Sequence, residues 1–159
     1  MKLQLVGLCL LVIACDPDRF TPDVGPPLQE LCLDEDSDDE VDVSFRNDIA
    51  ALIFALPAEN DDEIGGFGCD KCHRSNGETP LGLEVGGLDL ATYSSLRSGG
   101  LVSGSSVVVP GRPCDSVLLQ KVKSGVPFGA RMPLDGPPYV DEATVGLLHD
   151  WIAEGARDN

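Results

Sequence analysis

Apolar residues recur at helical spacing in three stretches of the chain. Over 47–56, Ile49, Leu52, Ile53 and Leu56 share one face, with Asn47 placed to cap the start and Pro57 to stop the helix. Over 113–123, Pro113 suits a first helical position, Val117, Leu118 and Val122 repeat behind it, and Gly125 ends the run. The longest pattern covers 141–153. There Asp141 is the N-cap, Val145, Leu148 and Ile152 form the stripe with Leu147 and Trp151 beside it, and Gly155 follows. A shorter helix over 90–96 precedes Gly99-Gly100. Val107, Val108 and Val109 read as a brief strand that Pro110-Gly111 ends at once. Helices dominate, so the pattern predicts an all-α fold.

The chain begins differently. Residues 1–14 carry one basic side chain, Lys2, and then a largely apolar run. That run is shorter than the roughly 20 residues a bilayer-spanning helix needs, and it fits an export signal. It ends in Val12-Ile13-Ala14-Cys15, the pattern of a bacterial lipobox, in which the cysteine takes diacylglycerol and becomes the mature N-terminus. An ordinary signal peptide or a buried strand with an incidental Cys15 are the alternatives. The abrupt change at Asp16-Pro17-Asp18 favours cleavage there. Residues 15–43 then read as an acidic, Pro-rich tether, and 44–159 as a single small domain. Within the tether, Asp34, Asp36 and Asp38 alternate as in a calcium loop, but Asp39 stands where the EF-hand turn needs glycine. A solvated charge run is the better reading.

Charge narrows the partners. The whole chain carries −16, and cleavage removes Lys2 and no acid. Such a surface repels nucleic acid and anionic membrane, so a docking protein is expected to present a basic face. Contact with a membrane is expected through the lipid alone. The expected location is outside the cytoplasmic membrane, lipid-anchored to a bacterial membrane and facing the periplasm or cell surface.

The chemistry is concentrated in Cys69-Asp70-Lys71-Cys72-His73. Cys-x-x-Cys-His is the attachment signature of c-type haem. Two thiols three residues apart on one turn can each add to a vinyl group of one porphyrin, and the imidazole that follows binds the iron. A zinc site needs a second ligand pair, which is absent. A thioredoxin-like redox pair expects a βαβ setting that the Gly-rich flanks do not supply. The remainder of the domain is poor in aromatic residues and rich in Gly and Pro, so a buried porphyrin would supply missing apolar mass.

Iron bound by one imidazole takes a second axial ligand unless the protein keeps that face open. After signal removal the candidates are Met132 and His149. Met132 sits before Pro133 in a loop and in no apolar periodic run, so packing gives it no other reason; His149 lies inside the last helix. Met132 is therefore the candidate sixth ligand. The cysteine count leaves one more pair. With Cys9 lost, Cys15 lipidated and Cys69 and Cys72 on haem, Cys32 and Cys114 remain, either as a disulfide or as two thiols.

In order, the chain shows a helix, Cys69-x-x-Cys72-His73, Gly87-Leu88-Asp89-Leu90, Val109-Pro110-Gly111, Leu118-Leu119-x-Lys121-Val122, Arg131-Met132-Pro133 and a final Trp151-Ile152 helix. Over 44–156 this resembles the small class I-type monohaem cytochrome c domains of planctomycetes and related bacteria. The resemblance implies one covalent haem c, thioethers at Cys69 and Cys72, iron ligation by His73 and Met132, and Trp151 packing the last helix across the first. The intervening segment 58–68 departs from the pattern, since in such domains the first helix leads quickly into the haem motif. The expected function is electron transfer with redox partner proteins rather than catalysis. The rivals are a haem sensor or enzyme with an open distal site, and a surface binding lipoprotein with structural haem.

Overall fold

The computed structural model describes residues 32–36, 42–55, 66–123 and 126–159. The expected signal, Cys15, most of the expected tether and the greater part of 58–68 lie outside the described residues, as do Leu56 and Pro57. Among the described residues the fold is all-helical with no strand, consistent with a cytochrome c-like fold. None of these helices is long and apolar enough to cross a membrane.

The first helix spans Phe45–Phe54 and is wound as a π-helix, with Ile49 N donating to Ser44 O and Ala55 N to Ala50 O. Its cap is Ser44, whose hydroxyl accepts from Asn47 N at 3.2 Å, so Asn47 lies inside the first turn rather than capping it. The winding explains the shift from the expected pattern. At about 3.6 residues per turn Phe45 and Phe54 would face opposite ways. The wider π turn brings them to one face, where Phe45, Ile49 and Phe54 are all buried.

The longest α-helix, α5 (Glu142–Ala153), matches its predicted span. Asp141 caps it by accepting from Thr144 N at 2.9 Å, and Leu148, Trp151 and Ile152 are buried. It crosses the first helix, with Trp151 against Phe45 at 5.5 Å between ring centroids and Tyr93 against the same ring at 5.2 Å. The chain end locks this crossing. Asn159 accepts from Phe45 N, Arg46 N and the Ser44 hydroxyl, while Trp151 Nε1 donates to Arg157 O and the Tyr93 hydroxyl to Ala156 O.

Among the described residues there are also four shorter α-helices: α1 (Asp70–His73), α2 (Leu81–Gly86), α3 (Tyr93–Ser98) and α4 (Val117–Val122). The helix expected over 90–96 starts later, at the Thr92 capping box, and buries Leu96. The helix expected over 113–123 is broken. A 3-10 turn over Pro113–Asp115 gives way at Ser116, whose buried hydroxyl accepts from Val109 N and donates to Arg112 O. The expected strand at Val107–Val109 is instead the end of the 3-10 turn Gly104–Val107 and an extended residue, unpaired with any other strand. Helix α2 had no counterpart in the apolar pattern, because it leaves Leu81 and Val85 exposed instead of burying a stripe.

Cys32 and Cys114 are joined in a disulfide, with Cα atoms 5.7 Å apart. This holds the short segment 32–36 against the domain, where Asp34 accepts from Cys114 N at 2.9 Å.

Candidate functional site

The five residues of the haem signature form one helical turn. Cys72 N and His73 N both donate to Cys69 O, at 3.2 and 3.0 Å, which puts both thiols and the imidazole on a single short element. An ion pair between Asp70 and Arg74 at 2.8 Å braces its outer side. The turn starts at the end of the first helix, since Gly68 N donates to Ala55 O. Gly66 lies so near Ala55 O that a Cβ there would come within 2.3 Å of it. The first helix therefore meets the motif directly, in spite of the intervening residues.

Neither Cys69 nor Cys72 is in a disulfide. Burial pushes the Cys69 thiol up to about 12, which favours the protonated thiol. Among the described residues no three His, Cys, Asp or Glu side chains gather into a metal-binding group. Cys72 Sγ lies 3.5 Å from the Thr79 hydroxyl.

Residues 74–90 fold back around His73. Its Nδ1 is 3.1 Å from Leu88 O, and its own carbonyl accepts from Leu90 N. A carbonyl only accepts, so Nδ1 carries the proton and the lone pair is left on Nε2, the arrangement of a ligating histidine. Burial lowers the imidazole pKa, which favours the neutral ring. Gly82 in α2 lies against the ring, where a Cβ would come within 2.5 to 2.7 Å of Cε1, Nε2 and Nδ1. The two thiols on one turn and the free Nε2 fit a covalently attached haem.

Met132 is half-buried and packs against the same core cluster as Cys69. Its N–H donates to Lys121 O at 2.8 Å. The neighbouring Arg131 donates from Nε to Val122 O and stacks over Tyr139 at 4.1 Å. His149 is differently placed: Nδ1 is 2.9 Å from Asp150 and Nε2 is 2.6 Å from Leu33 O, so both ring nitrogens are engaged. A cavity of about 440 Å³ lies between α4 and α5, lined by Lys123, Arg131, Glu142 and His149 among others. It touches none of Cys69, Cys72, His73 or Met132, and its mixed charges suit no part of the proposed chemistry.

Three contributors were not read from the sequence: the Leu88 carbonyl, Gly82 and Lys121. Gly86-Gly87 was the available signal for α2, because Gly87 ends it in the left-handed conformation that glycine tolerates. Nothing local marks the Leu88 carbonyl or Lys121.

Residues 69–136 match the family model described as Planctomycete cytochrome C. The match starts at the first cysteine of the signature and takes in Met132. It is narrower than the resemblance over 44–156 and leaves out the first helix and α5. No curated protein and no solved structure matches the chain.

Proposed function

We propose that this protein is a c-type cytochrome that carries electrons between redox partner proteins, with one covalent haem c. Cys69 and Cys72 form the thioethers, and His73 and Met132 are the axial ligands. The observation that carries the reading is the single turn that presents both thiols together with His73, whose Nδ1 is satisfied by Leu88 O. Bound haem would supply one-electron exchange at iron, and a thioether ligand favours the ferrous form. The chain's own part is to hold two side chains for the metal and to surround it with apolar packing. The acidic surface favours a partner with a basic docking face. The lipobox ending in Cys15 supports export and a lipid anchor in a bacterial membrane.

Acid-acetone extraction of the denatured protein tests attachment. Colour and haem mass are expected to stay with the chain, and complete extraction would overturn the covalent reading. On the same preparation, carbon monoxide is expected to bind the ferrous protein slowly or not at all; rapid binding would mean an open distal side. The mass of the mature N-terminus reports the anchor: an unmodified Cys15 would exclude it.

A further inference from the structure

Helix α4 ends in a way that concerns Met132. The last carbonyls of a helix have no partner within it, and here two of them are taken up by the Met132 loop: Lys121 O accepts from Met132 N, and Val122 O from Arg131 Nε. The Lys121 side chain then turns into the same loop. Its ammonium donates to Phe128 O at 2.8 Å and also to Ala130 O, and it lies 5.0 Å from the Phe128 ring centroid. One residue thus holds the loop at three points, twice through its charge and once through its backbone.

We infer that Lys121 is a positioning residue for the distal ligand: its ammonium gathers the Phe128 and Ala130 carbonyls and so sets how firmly the Met132 thioether stays on haem iron. This rests on the proposed His73/Met132 ligation. A backbone bond from Met132 alone would fix where the loop meets α4 but not its curvature. The Arg131 and Met132 bonds tie the far end of the loop to α4, whereas Phe128 to Ala130, with Gly129 at positive φ, need a hold of their own. Two charge-assisted hydrogen bonds supply that hold.

The test uses the full-length holoprotein and four variants, Lys121→Met, Lys121→Gln, Lys121→Arg and Met132→Ala. Three readouts are taken: the weak red absorption band of thioether-bound ferric haem, the reduction potential, and the rate of cyanide binding to the ferric protein. Loss of two charged hydrogen bonds is expected to speed cyanide binding roughly tenfold or more in Lys121→Met. The red band should weaken and the potential fall, while far-UV circular dichroism stays as in wild type. Lys121→Gln should fall between, and Lys121→Arg should restore most of the band. If Lys121→Met fails to fold, the Gln and Arg variants carry the ranking. Wild-type band, potential and cyanide rate in the Met or Gln variant, alongside loss of the band in Met132→Ala, would overturn the role of Lys121 alone. An unchanged band in Met132→Ala would overturn the axial assignment itself, and the clamp with it.

Discussion

His73 and Met132 are held by opposite strategies. Around His73, the contacts come from one continuous segment, 69–90: the Cys69 carbonyl behind it, Gly82 against its ring, Leu88 O on Nδ1 and Leu90 N on its carbonyl. Around Met132, the contacts come from a helix that precedes it, through the end of α4 and the Lys121 ammonium. The first arrangement closes as soon as residues 69–90 fold. The second depends on α4 being seated in the core through Leu118, Leu119 and Val122. A ligand enclosed by its own segment is hard to displace without unfolding that segment. A ligand held through a clamp can be loosened while the remainder of the domain stays intact.

The largest expected effect that would test this contrast comes from the disulfide. It spans 82 residues of sequence and enters the domain just before α4. Replacing both cysteines, Cys32→Ser with Cys114→Ser, should lower stability by about 4.5 kcal/mol on the chain-entropy model, measured by urea unfolding. Native-state hydrogen exchange locates the loss. Amides of α4 are expected to lose more protection than those of Lys71, Cys72 and His73, and equal loss on both sides would break the comparison.

A middle-sized effect separates two glycines of one helix. Gly82→Ala forces a methyl against the His73 ring and should cost about 1–3 kcal/mol as overpacking, with an altered haem spectrum. Gly86→Ala meets nothing within 4 Å and should instead stabilise by roughly 0.5–1 kcal/mol, because alanine is the better helix former. Two variants with the same sign would show that Gly82 is not shaped by the imidazole.

The smallest effect concerns the one strong local signal on the Met132 side. Asp141→Ala removes the α5 cap and should cost about 1 kcal/mol at neutral pH. The Thr144 N–H holds the Asp141 carboxyl below its ordinary value of 3.8. Its contribution is therefore present above that value and fades as pH falls through the lower, folded-state one. Denaturation of wild type and variant across pH 2 to 7 should show the two curves converging on the acid side. Asp141→Asn, which keeps an acceptor without the charge, should show little pH dependence of its own.

What could be read from residues alone follows the same division. The haem signature was legible because its chemistry is packed into five consecutive residues, and α5 because cap, stripe and terminal glycine all agree. The first helix was legible as a helix but not in its winding, since a periodicity near 3.6 hides the shared face of Phe45 and Phe54. Met132 stood out by its scarcity. Its clamp did not, because a lysine at a helix end is ordinary until the loop carbonyls arrive around it. The break at Ser116 was invisible for a similar reason, since a serine inside an apolar repeat acquires its role from Val109 and Arg112, which only the fold brings near. For Cys32 and Cys114 the count left both a bridge and two thiols open, and the fold brings the pair together.

The disulfide also settles where a pull on the chain would be felt. With lipid on Cys15, as proposed, the leash from the membrane runs only to Cys32, since the bridge hands any tension across to Cys114. Seventeen steps along a stretched backbone reach at most roughly 60 Å. Residues 33–43 come after the bridge in the chain and add nothing to that reach. Asp34, Glu35 and Asp36 are in this sense not part of the leash but cargo carried on the domain. Wherever the domain swings, these acids travel with it, with Leu33 O on His149 and the Asp34 carboxylate on Cys114 N just before α4.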